Sequence, residues 1–219
     1  TPDETRPILA RYNLAHGEYV LSVGTLEPRK NYIRLIEAYA ALRAQYAADE
    51  RRLPPLIIAG GYGWKYEAIL AAPEQTGVAG LVRFLGRVPD DDLPALIASA
   101  RLFVYPSLYE GFGLPPLEAL ASGTPVVVAN TSSLPEVVGD AGLYCDPYNV
   151  NDIARQIAAL LENEDLALRL RRAGVERAKQ FSWERAARET LAVYAQARAE
   201  RCARRRWRFI GSIRTAMMR

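Results

Sequence analysis

Six short apolar runs, rich in β-branched residues and uninterrupted by charge for most of their length, constrain this chain more than any other feature. They are Tyr19–Gly24, Leu56–Ala59, Val82–Leu85, Leu102–Tyr105, Pro125–Val128 and Leu143–Cys145. Runs that are apolar throughout, instead of alternating, read as strands buried on both faces. Segments of helical period separate them at Tyr32–Tyr46, Lys65–Ala71, Asp91–Ala100 and Pro115–Ser122, with a short one at Leu134–Val138. The alternation predicts an α/β protein, a Rossmann-like parallel six-stranded sheet flanked by helices. Beyond the last run the chain reads as helix at Val150–Glu162, Asp165–Gln180 and Ser182 to about Arg206.

In the common doubly wound order 3-2-1-4-5-6, strands 1 and 4 are neighbours where the order reverses, and ligands bind in the crevice there. The loop after strand 1 is Gly24-Thr25-Leu26-Glu27-Pro28-Arg29-Lys30-Asn31. The loop after strand 4 runs into Glu110-Gly111-Phe112-Gly113-Leu114-Pro115-Pro116-Leu117-Glu118. Its glycines let the backbone approach a ligand, and its prolines set a first helical turn whose N–H groups lack partners, which makes an anion site. Together with Arg29 and Lys30 these amides would clamp a diphosphate. Glu110 and Glu118 would repel an anion, so they suit neutral hydroxyls, and a nucleotide sugar carries both kinds of group. Each feature also has a plainer reading. Glu118 in a first turn is stabilised by the macrodipole, Gly-x-Gly can be only a turn, and Arg29-Lys30 can be a solvated pair. Convergence of the two loops on one crevice favours binding.

At 219 residues, half of them hydrophobic, the chain is long enough for one large domain or two small ones with a substantial core. It has no signal sequence and no apolar stretch near the ~20 residues that span a bilayer, so a cytoplasmic location is expected. Cys145 and Cys202 match no metal spacing and read as reduced thiols. The chain opens on Thr1 in a Pro-containing, charged segment, which reads as the middle of a longer protein. Of the net charge of +3, residues 197–219 carry +7, eight arginines against Glu200, leaving −4 on the remainder. An acidic body with a basic tail is not the footprint of a nucleic-acid-binding fold. Residues 1–197 are therefore expected to form the nucleotide-sugar-binding Rossmann-like domain and 198–219 a basic tail. Asp90-Asp91-Asp92 reads as an N-cap cluster before Leu93–Ala100, Gly60-Gly61 as a turn, and Trp64 and Trp183 as helix-start packing. Tyr39 and Tyr46 fit one face of the first helix, and His16 is assigned no role.

Three segments now resemble one family. They are Val23-Gly24-Thr25-Leu26-Glu27-Pro28-Arg29-Lys30-Asn31, Pro106-Ser107-Leu108-Tyr109-Glu110-Gly111-Phe112-Gly113 and Leu117-Glu118-Ala119-Leu120-Ala121-Ser122-Gly123-Thr124-Pro125-Val126-Val127. They resemble the donor-binding, C-terminal half of a retaining glycosyltransferase of the group 1 (family 4) type, with two-domain GT-B architecture, from about Tyr19 to Tyr194. The resemblance implies that Lys30 and Arg29 hold the donor diphosphate, Glu110 the hydroxyls of the transferred sugar and Glu118 the ribose diol. It also places Gly24 and Thr25 at the site, brings Gly111 and the amides of Phe112, Gly113 and Leu114 to sugar and phosphates, and sets Gly86-Arg87-Val88 near the base. Many relatives carry arginine where this chain has Thr25, so one diphosphate contact is absent and Arg29 is the expected substitute.

The implied reaction is hexose transfer from a nucleotide sugar to a glycan or lipid-linked acceptor with retention, with no metal or cofactor. It belongs to building a surface polysaccharide or glycolipid. The form of the Gly24–Asn31 motif resembles mannosyltransferase members, which makes GDP-mannose the first donor. Acceptor recognition belongs to a missing N-terminal domain, so this chain alone should bind without turnover. The rival enzyme is a nucleotide-sugar epimerase or a glycogen-phosphorylase-like protein of the same architecture, and the paired glutamates Glu110 and Glu118 argue against both; the rival of another class is a non-catalytic sugar-nucleotide-binding module. For the tail, with Trp207, Phe209, Ile210 and Ile213 among its arginines, two readings stand: docking on the missing domain, or contact with the anionic inner face of a membrane.

Overall fold

The computed structural model describes residues 2–48 and 52–216, with side chains from 3 to 201. Six strands, β1 (Val20–Val23), β2 (Leu56–Ala59), β3 (Val82–Gly86), β4 (Leu102–Tyr105), β5 (Val126–Ala129) and β6 (Leu143–Cys145), pair in parallel in the order β3-β2-β1-β4-β5-β6. The predicted sheet, its strand count and its order are all present. Helices α1 (Pro2–Arg11), α2 (Tyr32–Ala48), α3 (Glu67–Gln75), α4 (Leu93–Ala98), α5 (Leu114–Ala121), α6 (Leu134–Val138), α7 (Val150–Glu162) and α8 (Glu164–Ala178) accompany it. The strands lie between two cores. Val20, Leu56, Ile58, Leu102 and Val104 face α2, α3 and α7, whereas Leu21, Ile57, Phe103 and Tyr105 face α4 and α5. Burial on both faces is why the runs are continuously apolar.

Several local expectations are corrected. The opening segment, for which the sequence suggests no element, forms α1, with Leu9 buried and with Arg11 and the following Tyr12 bonded to Asp92. Asp92 stands at the cap position of α4 but makes no cap bond; its buried carboxylate accepts from Arg11 Nη1 at 2.9 Å and Tyr12 Oη at 2.7 Å. Long-range donors outcompete the local amides. Trp64 and Trp183 do not pack at helix starts: they are 56% and 78% exposed, while Tyr39 and Tyr46 are buried as expected. α5 begins at Leu114, which makes Glu118 its fifth residue, just past the first turn.

The chain divides into compact units at 1–178 and 179–219. The second unit contains one long helix, α9 (Trp183–Ala216), on which Leu191, Val193 and Tyr194 are exposed. The helix passes residue 198 unbroken, because Ala- and Arg-rich sequence there offers no breaker. Side chains of 202–216 and residues 217–219 lie outside the described residues, and with them Cys202, Trp207, Phe209, Ile210, Ile213 and the tail arginines from Arg204 onward. No helix among the described residues is long and apolar enough to cross a membrane.

Candidate active site

β1 and β4 are paired neighbours, Val20 opposite Leu102 and Leu21 opposite Phe103, so their following loops meet at one edge. The carbonyl of Arg29 accepts from Leu108 N at 2.8 Å and lies 3.1 Å from Ser107 Oγ. Asn31, in the left-handed region at φ 62°, donates from Nδ2 to the carbonyls of Pro106 and Pro147. Gly24 has φ 152°, and a Cβ there would stand 3.2 Å from Lys30 Cε, so glycine both permits the turn and clears the path of the lysine.

That path leads to Glu110. Lys30 Nζ, buried, donates to Glu110 Oε1 at 2.7 Å and to Tyr105 Oη at 2.6 Å, and lies 4.9 Å from the Tyr105 ring centre. Arg29 Nη1 sits 2.8 Å from the same Oε1, Ser107 Oγ donates to it at 2.6 Å, and none of the three contacts reaches Oε2. Burial alone would raise the Glu110 carboxyl, but the bonds from Lys30 and Ser107 and the adjacent charges of Lys30 and Arg29 outweigh it and hold the group below the usual carboxylate range. Arg29 also binds Glu27 Oε1 through Nη2 at 2.6 Å and the Tyr109 carbonyl through Nη1 at 2.7 Å. Glu27, Tyr105 and Ser107 were not singled out from sequence. Glu27 and Ser107 lie within the quoted motifs, and only folding makes them partners.

Beyond Glu110 the chain turns through Gly111 and Gly113, the latter at φ 108° before α5. The N–H groups of Gly111, Gly113 and Leu114 make no hydrogen bond among the described residues. A Cβ at Gly111 would meet nothing within 4 Å, so the protein itself leaves that side of the loop open. Phe112 and Leu114 are exposed at 43% and 44%. Glu118 is exposed and accepts no bond on its carboxylate among the described residues; partial shielding by the surrounding chain raises it above its ordinary value.

The remaining candidates divide. Thr25 is exposed on the loop after β1, whose Leu26 bridges Tyr62 of the loop after β2. Val88 turns its side chain into the core beside Leu96 and Ile97, so only its main chain is left for a ligand, while neighbouring Arg87 is exposed. His16 is exposed before β1. Among the described residues, no cluster of three or more His, Cys, Asp or Glu could hold a metal ion.

The chain is 46% identical over 194 residues to the O-antigen chain mannosyltransferase B of Escherichia coli, covering 89% of this chain and 50% of that protein. It is 38% identical over 174 residues to the serotype-specific mannosyltransferase WbdA of the same organism, covering 79% of this chain and 21% of that one. The fold of the sucrose-phosphate synthase of Thermosynechococcus elongatus superposes with a TM-score of 0.74 at 27% identity, over 89% of this chain and 49% of the other. The chain thus spans at most about half the length of these proteins. The sequence model of the glycosyl transferases group 1 matches residues 10–177, which takes in the whole sheet and both converging loops, and the chain belongs to that family.

Proposed function

We propose that this chain is the donor-binding domain of a retaining glycosyltransferase, one that moves a hexose from a nucleoside-diphosphate sugar to a glycan or lipid-linked acceptor. GDP-mannose is the first donor. The observation that carries the reading is the ion cluster of Lys30, Arg29 and Glu110 next to the open amides of Gly111, Gly113 and Leu114. Cations and amides at one edge suit a diphosphate, and carboxylate oxygens beside them suit hydroxyls. The mannosyl donor is supported by the names of the two Escherichia coli relatives.

In this reading the diphosphate takes the open amides, the remaining N–H of Lys30 and the guanidinium of Arg29. Glu110 accepts a sugar hydroxyl on Oε2, and Glu118 the ribose diol. The bond from C1 to the diphosphate oxygen breaks while the acceptor oxygen bonds C1 from the same face, and the acceptor proton passes to the departing phosphate. Lys30, Arg29 and the amides stabilise the charge that develops there, so no metal is part of the proposal. The acceptor site belongs to an N-terminal domain in the remainder of the full-length protein. The basic tail docks on that domain, with an anionic membrane surface as the alternative, and nucleic acid has no part.

Titration calorimetry of this chain with GDP, UDP, ADP and GDP-mannose tests the reading. Binding of GDP-mannose in preference to the others is expected. If none of the four binds, the donor-site assignment fails.

A further inference from the structure

The loop after β5, Asn130-Thr131-Ser132-Ser133, lies outside every motif above, yet it grips the glycine loop. The single proton of Ser133 Oγ is shared in a three-centre bond between the carbonyls of Phe112 at 2.7 Å and Glu110 at 3.1 Å. Ser132 Oγ accepts from Glu110 N at 3.0 Å, and Ser132 holds the left-handed conformation at φ 51°, uncommon for a residue with a side chain. Thr131 Oγ1 reaches the Ser107 carbonyl at 3.3 Å.

Peptide planarity turns this grip into a statement about the opposite side of the loop. Every peptide bond described is trans, and in a trans peptide the carbonyl of one residue and the N–H of the next point in opposite directions. Drawing the carbonyls of Glu110 and Phe112 toward Ser133 therefore turns the N–H groups of Gly111 and Gly113 away from it. These are the amides left without partners. Glycines do not hold peptide planes by themselves, since both signs of φ are open to them. Something outside the loop must hold them, and one hydroxyl spans both planes.

We propose that Ser133 is a positioning residue for the donor diphosphate: by fixing the planes after Glu110 and Phe112 it aims the Gly111 and Gly113 amides as a pair at the phosphate oxygens. Ser132 sets the plane before Glu110 in the same way. The inference rests on the donor-site reading above, and it adds a source of phosphate affinity that touches no phosphate.

The test compares the wild-type chain with Ser133→Ala and Ser133→Thr, measuring affinity for the tightest binder among GDP, UDP and ADP and for the matching nucleoside. Ser133→Ala should weaken the nucleoside diphosphate about tenfold, leave the nucleoside within about twofold, and be rescued by Ser133→Thr, which keeps the hydroxyl. Equal losses for both ligands, or an unchanged diphosphate affinity, would overturn the proposal. A second readout needs no variant: inorganic pyrophosphate should shift the Gly111 and Gly113 amide resonances of the wild-type chain more than those of Gly61 and Gly80. If these two do not move while pyrophosphate binds, the aim of the amides is wrong. A wild-type chain that binds neither pyrophosphate nor any nucleotide defeats the donor-site reading itself, an outcome distinct from the other two.

Discussion

Lys30 Nζ and Glu110 Oε1 stand 2.7 Å apart, eighty residues distant in sequence, on the two loops that meet where the strand order reverses. With Arg29 on the same oxygen and Glu27 on the other side of Arg29, two cations meet two carboxylates. The cluster is therefore balanced before any ligand arrives. A diphosphate has to draw Lys30 and Arg29 partly away from Glu110, and the sugar hydroxyls that come with it can compensate Glu110 on its uncontacted oxygen.

Lys30→Met removes the ammonium and keeps most of the volume, while Arg29 and Ser107 still satisfy Glu110. A charge-assisted contact contributes about 1.5–3 kcal/mol, so nucleoside diphosphate affinity should fall by about one to two orders of magnitude. Titration calorimetry on the folded variant measures it. An affinity unchanged from wild type would place the phosphates elsewhere.

Two neighbouring glycines should behave in opposite ways. A Cβ at Gly60 would overlap the Gly24 carbonyl, whereas one at Gly61 would meet nothing within 4 Å. Gly60→Ala should lower stability by about 1–3 kcal/mol through overpacking and weaken nucleotide binding by displacing the loop that carries Lys30. Gly61→Ala should stay within about 0.5 kcal/mol of wild type. Thermal melts of the two variants side by side check the contrast; similar melting points would mean the loops after β1 and β2 do not need their close approach.

The sheet was legible because burial on both faces leaves a mark at each residue: Leu56–Ala59 and Leu102–Tyr105 coincide with β2 and β4 to the residue. The converging loops followed from strand order. What stayed hidden was long-range partnership. Nothing local says that Asp92 serves Arg11 and Tyr12 instead of its own helix, or that Lys30 reaches Tyr105. α1 was hidden for a related reason. Pro7 inside it argues against helix by its missing N–H, and the contacts of Leu9 and Arg11 override that local preference. The exposure of Trp64 was equally unreadable, because a large aromatic residue carries no sign of whether a neighbour covers it.

Glu110 and Glu118 should titrate on opposite sides of the ordinary carboxyl value. Shielding puts Glu118 above the ordinary 4.5, and Lys30, Ser107 and Arg29 overcome burial to put Glu110 below it. As pH falls from neutrality Glu118 gains its proton first, and the ribose diol loses a charged acceptor. Nucleotide affinity should therefore decline as pH approaches 4.5 from above, and Glu118→Gln should flatten that part of the curve. The stability that Glu110 contributes is complete above its unfolded-state value and is lost only as pH drops through its lowered folded value. Affinity against pH for wild type and Glu118→Gln is the measurement. An identical decline in both assigns it to another group, such as the phosphate itself.

The two glutamates also divide the ligand between them. Glu110 is buried on the loop with Oε1 occupied by Lys30, Arg29 and Ser107, so only a group arriving at Oε2 gains from it. Glu118 is exposed on α5 with its carboxylate open. Assigning the sugar to the first and the ribose to the second gives four expected affinities. Glu118→Gln should weaken the sugar nucleotide and its free diphosphate alike, by about 1.5–3 kcal/mol, since both carry the ribose. Glu110→Gln should weaken the sugar nucleotide by a similar amount. It should leave the free diphosphate no weaker than wild type, because removing the carboxylate also releases Lys30 and Arg29 from an ion pair that competes with phosphate. Titrating both variants with GDP-mannose and GDP, in the full-length protein, decides between this division and a general electrostatic effect. Equal losses for both ligands in both folded variants would show that the pair acts through local structure, and the assignment of sugar and ribose would fall.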